Sequence, residues 1–410
     1  MPDTRRHREG ALAAVAVLLA VAGVAVAIVL AGEDDPPPPP QAGATDTRED
    51  RASFLARLIP PPADPRPRGP RIARSITDLV KRMPVERKVA QLFMFGFEGQ
   101  DLTAPIFERL RSLDLGGLVV SAQNYASTDQ LASLTGEARV IAQDEGHVQP
   151  WVMAPQEGGE FNAFADLPPA NSAAETASNA EAFDEAQRAA RALGPLGVNG
   201  VLAPVVDVAP PEGVALGARA FSAEPREVAA YGTAVVEGYR RFRVLTAASH
   251  FPGLGSGTGD TQLGVSQVGS TVAALRRSDL VPFRAVIRAG VPAILMSHGL
   301  YTTDDFVTPG SLSRELMTDL LRDQLGFEGI AITDDLADPP ITALASISDA
   351  AVRAVDAGAD LIYISGPAGE QQAAYVAVLR AARGGEISQQ RLDEALLRNL
   401  SIKRDYGLVK

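Results

Sequence analysis

Several short stretches of this 410-residue chain place ionisable or hydrogen-bonding side chains directly after apolar runs. Asp334 and Asp335 follow the run at 330–333. Asp207 closes the run at 198–206, with Arg219 further along. His250 lies just past 244–248, and Asp260 lies downstream of it. His298 follows 293–297, and Gln156-Glu157-Gly158-Gly159 follow 151–154. Carboxylates gathered on one rim around a pocket suit glycoside cleavage, which needs an anion opposite an oxocarbenium-like centre and a proton donor for the leaving oxygen. An ionised Asp is a competent nucleophile without a separate base. Each residue also has a plainer reading. An Asp pair caps the segment after it, an arginine makes a surface ion pair, and a histidine bonds backbone in a core. Glu157, flanked by two glycines, reads as part of a turn.

Such a rim needs strands that all end on the same side. Eight apolar runs, at 89–97, 117–121, 151–154, 198–206, 244–248, 293–297, 330–333 and 360–365, are short and continuous rather than alternating, as expected of strands covered on both faces. Helical patterns fall between them at 180–193, 225–241, 313–325, 347–357 and 371–382. Eight strand–helix units predict an α/β fold, a (β/α)8 TIM-type barrel, with a doubly wound open sheet as the alternative. No G-x-G-x-x-G follows the first run, and no P-loop is present. The Gly-rich 252–259 segment reads as a flexible loop rather than a phosphate cradle.

Composition narrows the chemistry. With no Cys there are no disulfides, thiolate metal sites or cysteine nucleophiles. Only 4 His argue against a multi-histidine metal site. A net charge of -12 makes nucleic acid a poor partner, and 5% aromatic residues leave few stacking platforms for single strands.

The N-terminus reads as a membrane anchor and tether. Residues 10–32 carry no charge, a length able to cross a hydrocarbon core of ~30 Å. Arg5, Arg6 and Arg8 precede it, in a basic stub at 1–9; Glu33, Asp34 and Asp35 follow. That asymmetry keeps the stub cytoplasmic and puts the remaining chain outside the cell membrane. A cleaved signal peptide is the rival reading. Residues 33–71, with a five-proline run at 36–40, read as a stiff spacer, with a proline-recognition ligand as the minor option. The folded domain is expected over 72–410.

The barrel segments, in order, resemble the N-terminal barrel of glycoside hydrolase family 3, in its single-domain β-N-acetylhexosaminidase form. They are 89–99 (VAQLFMFGFEG), 116–124 (GGLVVSAQN), 154–162 (APQEGGEFN), 197–208 (GVNGVLAPVVDV), 218–221 (ARAF), 249–255 (SHFPGLG) and 332–336 (ITDDL). The resemblance implies retaining hydrolysis of a β-linked N-acetylglucosaminide, a carbohydrate of the cell-wall kind, with no cofactor and no metal. It makes Asp334 the nucleophile and places Arg219 and His250 against sugar hydroxyls. From their own places at strand ends, Asp207 and His298 join the candidate substrate-binding residues, Asp207 read as orienting its neighbours and His298 as either lining the pocket or packing beneath it.

The chain departs from the family pattern at several positions. Pro155 stands where the family has a sugar-binding Asp, Glu160 where it has Arg, Ser249 where it has Lys, and Leu254 where it has a second His. The family's mobile loop carries Asp-x-His as acid/base; here the stretch is Asp260-Thr261-Gln262, and an amide does not titrate near neutral pH. Two readings follow. Either Asp260, or another group on the 252–262 loop, donates the proton and the chain hydrolyses glycosides, or the domain is an inactive sugar-binding or scaffold module at the cell envelope.

Overall fold

The computed structural model describes residues 72–301 and 307–409. The expected anchor at 10–32 and spacer at 33–71 lie outside the described residues. Among the described ones, no helix is long and apolar enough to cross a membrane.

Ten strands are described: β1 (Phe93–Phe95), β2 (Gly117–Val119), β3 (Trp151–Ala154), β4 (Gly200–Val201), β5 (Leu245–Phe251), β6 (Gln267–Val268), β7 (Ala293–Met296), β8 (Leu300–Tyr301), β9 (Ile330–Thr333) and β10 (Ile362–Ile364). Eight form one parallel sheet in the order β10-β1-β2-β3-β4-β5-β7-β9. Its two ends meet through a parallel bridge between Ile332 and Leu361, with the Thr333 N–H donating to the Leu361 carbonyl at 3.1 Å. The sheet therefore curls into a barrel rather than an open doubly wound layer. The helices between successive strands cover its outside.

The expected strand runs are trimmed at their ends. Val89 and Ala90 belong to the helix Val85–Ala90, and only Phe93–Phe95 is strand. A continuous buried apolar run does not by itself separate helix from strand. The helices extend close to expectation: Asn179–Leu193, Pro225–Arg240 and Ile347–Ala357. Ser178 caps the first of these, its hydroxyl accepting from the Glu181 N–H. Its buried small residues, Ala182, Ala186, Ala189 and Ala190, let the neighbouring helix approach closely. A Cβ on Gly238 of that neighbour would fall 2.6 Å from the Ala186 Cβ. The β6–β8 pair was not foreseen. It ties the long loop after β5 to the segment after β7.

Strand geometry sends alternate side chains to opposite faces. One set, including Val119, Met153, Leu202, Ala247, Leu295 and Ile332, packs as a single buried cluster distinct from the one under the helices; it fills the barrel lumen. Tyr406 closes the base, its ring edge-on to Trp151 at 5.6 Å. One further step of the alternation reaches the rim at Ser121, Pro155, Ser249, Ser297 and Asp334. Of these five, only Asp334 carries a charge.

Candidate active site

Asp334 stands at the rim because Ile330 and Ile332 occupy the two lumen positions below it on β9. Its N–H donates to the Met296 carbonyl of β7 at 3.1 Å, and its Oδ1 accepts from the Asp335 N–H at 3.0 Å. The side chain is tied down yet 9% exposed, at the edge of the core rather than within it. Asp335 turns the other way. Its Oδ1 accepts from the Ala337 and Ser365 N–H groups at 3.0 and 2.9 Å, which locks the β9 loop to β10. Burial pushes its carboxyl up, and the bonds to Ser365 and Ala337 oppose that.

A second element of the rim is a chain of polar contacts. Asp207 is fully buried; its Oδ2 meets both the backbone N–H and the Nδ1 of His250, at 3.0 and 2.7 Å. Its Oδ1 accepts from the Leu254 N–H at 2.6 Å. His250 Nε2 lies 3.2 Å from Arg219 Nη2. A guanidinium only donates, so Nε2 is the acceptor and Nδ1 carries the proton to Asp207. Arg219 in turn makes a bidentate ion pair with Glu157, at 2.7 and 2.8 Å. Burial works against the charge of Arg219, but the Glu157 carboxylate outweighs it, with Asp334 and Asp260 adding to the same field; its pKa lies above the ordinary value. For His250, burial is likewise outweighed by Asp207, and its pKa is raised.

The turn that presents Glu157 demands glycine. Gly158 has φ 117°, and a Cβ there would lie 2.1 Å from the Asn171 carbonyl oxygen. Glu157, read from the sequence as part of a turn, is therefore also the counter-ion of Arg219. The Gly-Gly pair marked the turn, but nothing in the sequence marked the ion pair.

His298 is fully buried beneath the β9 loop. Its Nε2 lies 2.8 Å from the Asp335 carbonyl and its Nδ1 2.7 Å from the Ser311 hydroxyl. Since a carbonyl only accepts, Nε2 carries the proton and supports the Asp335-Leu336 peptide, the one directly after the aspartate pair. Burial lowers its pKa, with Asp334 opposing, which keeps the ring neutral.

Asp260 is half-buried on the loop after β5, its Oδ1 accepting from the Gln262 N–H at 2.9 Å. It adds to the negative field on Arg219. Gln262 is exposed, and Leu254 is fully buried. Ser249 Oγ is buried without a hydrogen-bond partner among the described residues. Of the residues singled out from the sequence, Asp207, His250 and Arg219 are joined by hydrogen bonds, Asp334 and Asp260 share their electrostatic field, and His298 holds the β9 loop through the Asp335 carbonyl. Asp338 was not singled out. It shares their field, as the neighbours that shift its titration are Asp334, Asp335, Asp260 and Arg219. Among the described residues, no cluster of side chains is arranged to hold a metal ion.

Residues 84–402 match the glycosyl hydrolase family 3 N-terminal domain. A beta-hexosaminidase of Methylococcus capsulatus is 32% identical over 279 residues, covering 66% of this chain and 81% of that protein. Among solved structures, a glycoside hydrolase family 3 beta-N-acetylglucosaminidase from Paenibacillus superposes with a TM-score of 0.76 at 31% identity, over 80% of this chain and 63% of that one. A beta-N-acetylhexosaminidase from Beutenbergia cavernae superposes with a TM-score of 0.71 at 29% identity, over 78% of this chain and 99% of that one. The likeness spans the barrel rather than one motif, and the chain belongs to glycoside hydrolase family 3, a family of glycosidases.

Proposed function

We propose that this protein is a retaining β-N-acetylglucosaminidase acting on cell-wall fragments, held at the outer face of the cell membrane by its apolar N-terminal segment. The observation that carries this reading is the placement of Asp334: a carboxylate directly after β9, above the lumen residues Ile330 and Ile332 and tied through its backbone to β7. Its carboxylate attacks the anomeric carbon and forms a glycosyl ester, which water then hydrolyses. Arg219 and His250, held by Glu157 and Asp207, present the polar edge against which sugar hydroxyls are placed. On the sequence reading the proton comes from Asp260. Two hexosaminidase-type relatives of comparable length support the sugar class.

The test is covalent trapping. The full-length chain is incubated with a 2-fluoro aryl glycoside and its intact mass measured. A stable adduct that maps to Asp334 and is absent in Asp334→Asn is expected. No adduct, with saturable binding of muropeptides by calorimetry, replaces hydrolysis by the sugar-binding reading, which Pro155, Ser249 and Gln262 favour. Protease protection of intact cells tests the outward placement.

A further inference from the structure

With Gln262 in place of a titratable partner for Asp260, the proton donor of the proposed glycosidase has to be sought among the remaining rim carboxyls. Three share the loop after β9, namely Asp334, Asp335 and Asp338, and Asp260 on the loop after β5 acts on Asp338 electrostatically. The nearby cation, Arg219, is already committed to Glu157 through both of that carboxylate's oxygens. Carboxylates crowded together without a counter-cation do not all ionise.

Hydrogen bonding decides which one keeps a proton. Asp334 accepts from the Asp335 N–H, Asp335 from Ala337 and Ser365, and Asp260 from Gln262. Each of those bonds favours the anion. The Asp338 side chain has none among the described residues. It occupies the N-cap position of the helix Pro339–Thr342 and makes no capping bond. The reason lies in the sequence. A capping Asp accepts from the N–H groups two or three residues on. Pro339 and Pro340 have no N–H, and the Ile341 N–H donates to the Asp338 carbonyl instead, at 3.0 Å.

The backbone also holds Asp338 near the nucleophile. Its N–H donates to the Asp335 carbonyl at 2.9 Å, closing a tight turn that begins one residue after Asp334. The residue is half-buried, neither sealed in the core nor fully in solvent.

We infer that Asp338, rather than Asp260, is the catalytic acid/base, a role that rests on the glycosidase reading. In the first step the Asp338 carboxyl gives its proton to the glycosidic oxygen as the C1–O bond breaks and an Asp334 oxygen bonds to C1. The aglycone leaves as a neutral alcohol. In the second step the Asp338 carboxylate takes a proton from water, whose oxygen attacks C1 as the ester bond to Asp334 breaks. Both carboxyls return to their starting states. The groups facing Asp338 are Asp334, Asp335, Asp260, Arg219 and Tyr363. Burial first, then the three carboxylates, push its pKa up to about 9, so it is protonated at neutral pH.

The test compares the full-length chain with Asp338→Asn and Asp260→Asn on aryl N-acetylglucosaminides, from dinitrophenyl to unsubstituted phenyl. Losing general-acid help costs ~10²–10⁴-fold. Asp338→Asn is expected to lose that much kcat/KM on the phenyl glycoside while forming the glycosyl ester from the dinitrophenyl glycoside at close to the wild-type rate. The retained ester formation also proves the variant folded. Its alkaline limb in kcat/KM, where the wild type falls as the acid deprotonates, disappears, and azide restores turnover with a β-glycosyl azide as product. If Asp338→Asn keeps the wild-type leaving-group dependence and alkaline limb, or if Asp260→Asn shows the signature instead, the inference is overturned while the glycosidase reading stands. If the wild type neither turns over nor forms an Asp334 adduct, both fall.

Discussion

Replacing Glu157 by Gln tests whether the rim is held by a buried ion pair. The substitution keeps the shape and removes one charge. Glu157 and Arg219 side chains are 11% and 10% exposed, so water does little to compensate. Two charge-assisted bonds, at 2.7 and 2.8 Å, lose their ionic character. Bonds to charged groups contribute ~1.5–3 kcal/mol each, and breaking one side of a buried pair costs ~3–5 kcal/mol. The two estimates agree on a loss of ~3–5 kcal/mol. The assay is urea unfolding, read as a fall in midpoint at unchanged m-value. Arg219→Met alone should cost a similar amount, since it strands the carboxylate. The double variant Glu157→Gln/Arg219→Met should cost much less than the sum, because no buried charge is left unpaired. Activity adds a second readout. An unpaired Arg219 sits in the field of Asp334 and Asp260 and swings its charge towards them, so kcat/KM should drop in Glu157→Gln beyond any loss of folded protein. A cost below ~1 kcal/mol, typical of exposed pairs, with strict additivity in the double variant, would refute the reasoning.

Two further outcomes test the scaffold. Gly158→Ala should destabilise the fold by ~2–3 kcal/mol and lower activity together, because an alanine at φ 117° meets the Asn171 carbonyl; unchanged thermal unfolding would contradict the turn geometry. Lys403 is fully buried at the barrel base with its Nζ 3.0 Å from Gln91 Oε1, and burial, opposed by Asp114, depresses its pKa to about 7. Between about pH 7 and its ordinary 10.5 the unfolded chain holds a proton that the folded chain lacks, so wild-type stability should rise with pH across that window. Lys403→Met should remove that rise and unfold at higher temperature at pH 7; a wild-type profile in the variant would show that the ammonium is not desolvated.

The barrel was legible in the sequence because strands covered on both faces leave uninterrupted apolar runs, and eight of them alternate with helical patterns. Their edges were not legible. Val89 and Ala90 are as apolar as the strand after them but wind into a helix under the outer layer. At the site, Asp334 could be found from its place after β9, and Asp207, Arg219 and His250 from theirs. Their wiring could not, since Arg219 reaches Glu157 across 62 residues and His250 reaches Asp207 across 43. Asp338 does have a trace in the sequence: a third Asp close behind the Asp-Asp pair, set directly before two prolines that deny it a capping partner.

The substitutions that separate this chain from the family pattern differ in what they remove. The histidine replaced by Leu254 takes away a side chain, but the structural duty at that position falls on the backbone: the Leu254 N–H donates to Asp207 whatever the side chain is. The loop after β5 therefore stays hooked to the Asp207–His250 pair. Pro155 and Ser249 stand at the rim itself, where side chains decide. Pro155 has neither an acceptor on its side chain nor an N–H, and the Ser249 hydroxyl is too short to reach as a lysine would and lacks a partner among the described residues. Polar recognition is thus thinned on the β3 and β5 sides of the rim, while the β9 side carries Asp338 behind Asp334 and Asp335. A site altered in that direction loses grip on hydroxyls faster than it loses bond-breaking capacity. Relative to a family member with the usual residues, it should show a raised KM on simple glycosides, with kcat governed by the β9 loop.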